Sequence, residues 1–184
     1  MPSGDPAPES RRPFRQYLAK MKGTKRTSPL PRPHHREVFI SWLGAFVGIG
    51  LVAWLSLVYK MPLLVASFGA SAVLIYGVPE TPLAQPRNVI GGHFLSAVTA
   101  VLLSALFGAT WWSIALGVSL AIALMLITHT AHPPGGATAL VGILTKAHPS
   151  FILAPVTLGA VLLVMVGLLS NNLSPGRHYP KHWL

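Results

Sequence analysis

The sequence predicts an all-α integral membrane protein, a bundle of four full transmembrane helices and two short or broken ones in a 3+3 internal repeat. Three observations lead there. Hydrophobic residues make up 52% of the 184 and charged residues 10%, against roughly 25% charged in a soluble domain. Between Val38 and Pro175 the charged residues are Lys60, Glu80, Arg87 and Lys146. Finally, the run His132-Pro133-Pro134-Gly135-Gly136-Ala137-Thr138-Ala139 sets backbone breakers and an imidazole inside hydrophobicity of membrane grade. Irregular backbone at that depth survives only when buried in protein or beside a polar cavity, because hydrocarbon offers unpaired N–H and C=O groups no partner.

The chain divides into a basic arm, residues 1–36, a transmembrane domain, 37–172, and a short tail, 173–184. The arm carries Arg11, Arg12, Arg15, Lys20, Lys22, Lys25, Arg26, Arg32 and Arg36 against Asp5 and Glu9. It has no apolar periodicity, so disorder is expected. Basic residues before a first membrane helix hold that end in the cytoplasm and attract anionic headgroups. That reading is preferred to nucleic-acid binding. Arg177 and Lys181 place the tail on the same side. A bacterial inner membrane with both termini cytoplasmic is the expected setting. The first hydrophobic run is longer than the core of a cleavable signal peptide. With no cysteine in the chain, disulfides and thiolate metal sites are excluded.

A hydrocarbon core about 30 Å thick needs roughly 20 helical residues. Val38–Tyr59, Asn88–Phe107, Trp111–Ala131 and Ser150–Ser170 meet that length. Trp42, Trp54, Tyr59, Trp111 and Trp112 lie near segment ends, as interfacial aromatics do. Met61–Val78 and Pro133–Thr145 are shorter. As pure helix the second reaches only about 20 Å, so it either re-enters or is completed by extended chain. Gly69-Ala70-Ser71-Ala72-Val73-Leu74 aligns with Gly136-Ala137-Thr138-Ala139-Leu140-Val141 at an offset of 67 (136 − 69). The same offset pairs Pro82 with Pro149, Gly92 with Gly159 and Gly50 with Gly117. Three crossings per half make the halves antiparallel, a transporter plan with paired broken helices. Two crossings per half, with re-entrant short elements, make them parallel. The inverted arrangement is preferred.

Pro133 and Pro134 suit the first turn of a helix. The N–H groups of Gly135, Gly136 and Ala137 would then face out of its start, a backbone anion site, with Thr138 one turn further on. Gly69 and Ser71 offer a second such start. The competing reading is that these glycines only allow close helix packing. His93, His129 and His132 lie within the hydrophobic segments, where ionisable groups face the protein interior or a water path. Each could carry a proton with an anion, or sit neutral and hydrogen-bonded. A metal site is disfavoured, because the prolines break the spacing and the sole carboxylate of the region, Glu80, lies in a loop. Asn88 is a candidate helix cap, and Arg87 either draws anions toward an entrance or snorkels to headgroups. Neither a catalytic set nor a cofactor fingerprint is present, so no enzyme activity is expected.

His132-Pro133-Pro134, preceded by Pro82-Leu83-Ala84-Gln85-Pro86-Arg87-Asn88-Val89-Ile90-Gly91-Gly92-His93, resembles the HPP family. The resemblance covers roughly Val38 to Ser170. It implies a small integral membrane protein, usually drawn with four transmembrane helices, and nitrite or a similar small anion as substrate. The reading is a membrane protein that passes a small anion, nitrite the best single choice, within the lipid bilayer and suited to homo-oligomers. The alternative is a non-transporting scaffold or sensor whose basic arm recruits a partner or lipid.

Overall fold

A computed structural model describes residues 34–58 and 65–183. The basic arm up to residue 33 and the connection 59–64 lie outside the described residues. Every regular element among the described residues is helical. Helix α1 spans His35–Val58, and α2, Ser67–Ala72, runs on through a π-helical turn at Val73–Gly77. A 3-10 turn, Pro82–Ala84, precedes α3, Pro86–Phe107. Next come α4, Trp111–Ile127, and α5, Pro133–Leu144. The segment Ile152–Thr157 is kinked at Ala154, which is extended at φ −133, ψ 119 ahead of Pro155, and leads into α6, Leu158–Asn171.

Three of these helices, His35–Val58, Pro86–Phe107 and Ile152–Asn171, are long and apolar enough to cross a membrane. The expected fourth, Trp111–Ala131, is shorter: α4 has 17 residues and stops at Ile127. The cause is a Schellman ending. Thr130 N–H donates to Met125 O at 2.9 Å and His129 N–H to Leu126 O at 3.3 Å, with His129 left-handed at φ 56. That geometry satisfies carbonyls a helix end leaves open. Extended chain follows, because a residue ahead of proline avoids the α region: His132 sits at φ −138, ψ 101. Helix α5 then starts at Pro133, as the missing N–H groups allow. It ends like α4, with Lys146 at φ 50 and Ala147 N–H donating to Gly142 O at 2.9 Å.

The contacts between helix ends fix their directions. Arg177 donates to Glu37 O and Ser41 Oγ at the start of α1, to Tyr76 O after α2, and to Asn171 Oδ1 at the end of α6. At the same end Arg87 Nη2 donates to Thr128 O at 3.0 Å, and Tyr179 Oη donates to Ala84 O at 2.8 Å. At the opposite end Gly142 of α5 meets Ala100 of α3 and Phe151. Thus α1, α3 and α5 run away from the Arg177 end, whereas α2, α4 and α6 run toward it. Glycines let these helices approach, as small residues do in membrane bundles. A Cβ on Gly48 would strike the Tyr76 hydroxyl, one on Gly117 the Ile143 side chain, and one on Gly142 Ala100 Cβ at 2.6 Å.

A buried hydroxyl and imidazole network

Five polar side chains meet where α2 and α5 begin. Ser67 and Ser71 lie one turn apart on α2, His93 about 10 Å along α3 at 1.5 Å per residue, His132 just before α5, and Thr138 on α5. All five are buried, with Ser71, His93 and Thr138 at 0% exposure. His93 Nε2 lies 2.7 Å from Ser71 Oγ, and its Nδ1 lies 2.8 Å from Thr138 Oγ1. Ser71 Oγ is also 2.9 Å from His132 Nε2. Ser67 Oγ is 2.7 Å from Thr138 Oγ1, and His132 Nδ1 donates to Leu83 O at 2.8 Å. The two rings sit 4.9 Å apart between centroids, and Phe68 closes one side edge-on to His93 at 5.3 Å.

The Leu83 carbonyl can only accept, so His132 carries its proton on Nδ1. Its bare Nε2 accepts from Ser71, whose single proton is thereby used. His93 Nε2 must then donate to Ser71, which leaves Nδ1 to accept from Thr138. Thr138 in turn accepts from Ser67. One carbonyl therefore orients the whole network while both rings are neutral. Every member is satisfied, as buried polar groups require.

Gly135 N–H donates to His132 O at 2.8 Å, so it is not one of the outward-facing donors expected at the start of α5. Pro133 and Pro134 have no N–H to offer. A Cβ on Gly135 would meet Ser96 Oγ at 2.8 Å and Gly92 O at 3.1 Å, and one on Gly92 would meet His132 Cβ at 2.7 Å. These glycines seat α5 and His132 against α3. Gly136 and Ala137 are half-buried beside them. Gly69 is exposed, with open space where a Cβ would be.

Other candidates surround the network without joining it. His129 is exposed in the α4 ending. Arg87, also exposed, donates to the Thr128 carbonyl at the end of α4, a favourable place for a cation. Asn88 is not the helix cap; α3 starts earlier, at Pro86 after Gln85, because proline is preorganised for a first helical turn. Asn88 Nδ2 instead donates to Ala131 O at 2.9 Å, pinning the extended chain ahead of His132. Sequence reasoning missed Ser67 and the Leu83 carbonyl. The i, i+4 spacing of Ser67 and Ser71 was the available signal for the first, whereas a backbone acceptor leaves none.

Helices of this length and hydropathy, closed around a buried polar network, define an integral membrane protein. The chain belongs to the HPP family, matching the HPP transmembrane region over residues 30–180. It is similar to two transmembrane proteins of Dictyostelium discoideum. One is 41% identical over 180 residues, covering 91% of this chain and 63% of its own length. The other is 40% identical over 184 residues, covering 92% and 58%. The chain thus spans about three fifths of the curated relatives it matches. No solved structure matches it.

Proposed function

We propose that the protein carries a small anion across the membrane, nitrite first as the family resemblance implies, and that the network around His93 is its binding site. The observation that carries this reading is the clamp on His93. The hydroxyls on its two nitrogens belong to Ser71 and Thr138, the residues that the 67-residue offset makes equivalent. An imidazole held between matching positions of two short helices supports an inverted 3+3 repeat with its axis near the ring. In that arrangement the segments that contain α2 and α5 complete crossings from opposite sides, giving six in all with both termini cytoplasmic. Broken helices meeting within the bundle are where transporters of this plan bind substrate. Buried polar groups in a membrane domain mark solute paths by default. Contact with the anion falls to the side chains of Ser67, Ser71, His93, His132 and Thr138, since Gly135 N–H is already engaged. The prolines and glycines between His132 and Ala137 let α5 start at that depth.

Nitrite entry into proteoliposomes tests the proposal. Entry should depend on the protein and fall about tenfold or more in Thr138→Val, which deletes one hydrogen bond to His93 at nearly constant volume. If neither nitrite nor another small anion enters anywhere between about pH 5 and 8, the range in which an imidazole changes charge, transport is excluded.

A further inference from the structure

The network has a second arrangement built into it. Ser71 Oγ lies 3.3 Å from Ser67 O, and Thr138 Oγ1 lies 3.5 Å from Pro134 O. Neither carbonyl is needed while both rings are neutral. A proton added to His132 Nε2 turns that nitrogen into a donor toward Ser71. Ser71 then accepts from both rings and swings its own proton to Ser67 O. A proton added instead to His93 Nδ1 is donated to Thr138, whose hydroxyl proton swings to Pro134 O. Either ring can therefore be charged without stranding a donor or an acceptor. Ser71 also lies between the two Nε2 atoms. With the charge on His93, Ser71 can take the proton of His93 Nε2 as it gives its own to the bare Nε2 of His132; His93 is left neutral with its proton on Nδ1 toward Thr138, and the charge moves with no heavy-atom displacement.

We propose that His93, Ser71 and His132 form one proton-binding site that holds a single proton and takes it up together with the transported anion. This rests on the transport reading. Two charges on rings 4.9 Å apart would repel, so the pair holds one. The ionisable groups on the surrounding elements are engaged elsewhere or distant. Tyr76 donates to Leu163 O, Tyr179 to Ala84 O and Arg87 to Thr128 O. Glu37 lies at the start of α1, and Glu80 pairs with Lys181 at 3.4 Å. Among the described residues no carboxylate stands beside the rings to balance an imidazolium. A mobile anion supplies that balance. Uptake forms one N–H bond and breaks one O–H bond in the donor, hydronium or the acid form of the substrate, and no electrons change hands.

The test uses the full chain in lipid bilayers with 15N-labelled histidine, and sodium nitrite as the probe. Without added acid, nitrogen shifts should show opposite tautomers, His132 protonated on Nδ1 and His93 on Nε2. On acidification with nitrite the pair should gain one proton. Identical tautomers, two protons taken up, or none gained overturn the site. In vesicles loaded with a pH-sensitive dye, a nitrite pulse should acidify the lumen beyond the protein-free leak. Ser71→Ala should slow this acidification by about tenfold, the cost of one lost hydrogen bond, and Ser71→Thr should restore it. Nitrite entry without acidification overturns the coupling and leaves transport standing. Absent entry overturns transport, and the nitrogen titration then decides the proton site on its own.

Discussion

His132 has no freedom over which ring nitrogen bears its proton, because Leu83 O only accepts, and that constraint passes through Ser71 to His93 and on to Thr138. The direction of donation makes the hydroxyls unequal. Thr138 is the sole donor to His93 Nδ1, so Thr138→Val leaves a buried acceptor bare and should cost about 1–3 kcal/mol. Ser67 only donates into Thr138, which keeps its own bond to His93 when that donation is lost. Ser67→Ala should accordingly cost about 1 kcal/mol or less, near the average for membrane hydrogen bonds. Thermal unfolding of the two variants in detergent checks the order, and a larger loss in Ser67→Ala would reverse the assigned donation. His93, His132, Ser71 and Thr138 were legible from the sequence, because polar groups stand out in apolar segments. The partnership of Ser67 with Thr138 was not, since their 71-residue separation closes only when α2 and α5 pack.

At the scale of the helices, the glycines divide into those that hold a neighbour and those that do not. Gly48 receives the Tyr76 ring, whose hydroxyl donates to Leu163 O at 3.0 Å, whereas Gly50 faces open space. Gly48→Ala must displace that ring and should cost about 1–3 kcal/mol. Gly50→Ala meets nothing and should gain up to about 1 kcal/mol from helix propensity. Unfolding midpoints in detergent decide this, and equal midpoints would show that α1 does not pack through Gly48. The offset pairs Gly50 with Gly117, yet only Gly117 is filled, by Ile143. A glycine's place in a sequence therefore does not reveal which glycines carry a packing contact. Boundaries behaved similarly. The start of α5 was legible because two prolines admit little else, while the early end of α4 rests on a left-handed His129, which has no sequence signature. The tail was read only for its charge. Its architectural part, Arg177 tying together α1, α2 and α6, needs carbonyl acceptors that the folded chain supplies.

For the membrane domain as a whole, the number of crossings decides which loops share a compartment. Six crossings put Glu80, His129 and His178 on one side and His148 on the other. Four crossings with re-entrant short elements would group Glu80, His129 and His148 together against His178. The end contacts favour the first pattern: Arg87 holds the 128 loop, and Tyr179 holds the 82–84 turn, at the end where Arg177 gathers α1 and α6. The chain has no cysteine, so single substitutions Glu80→Cys, His129→Cys, His148→Cys and His178→Cys each introduce one thiol with no background. Three of the residues are exposed in loops or tail, and Glu80 is 55% exposed at its side chain beside Lys181. Labelling intact cells with a membrane-impermeant maleimide should leave positions 80, 129 and 178 unlabelled until the cells are opened, while position 148 labels at once. That outcome requires the segments that contain α2 and α5, short as those helices are, to cross the bilayer in full. Protection of position 178 alone, with 80, 129 and 148 labelling at once, would instead make the short helices re-entrant. The halves would then be parallel, and Ser71 and Thr138 would approach His93 from the same side rather than from opposite ones.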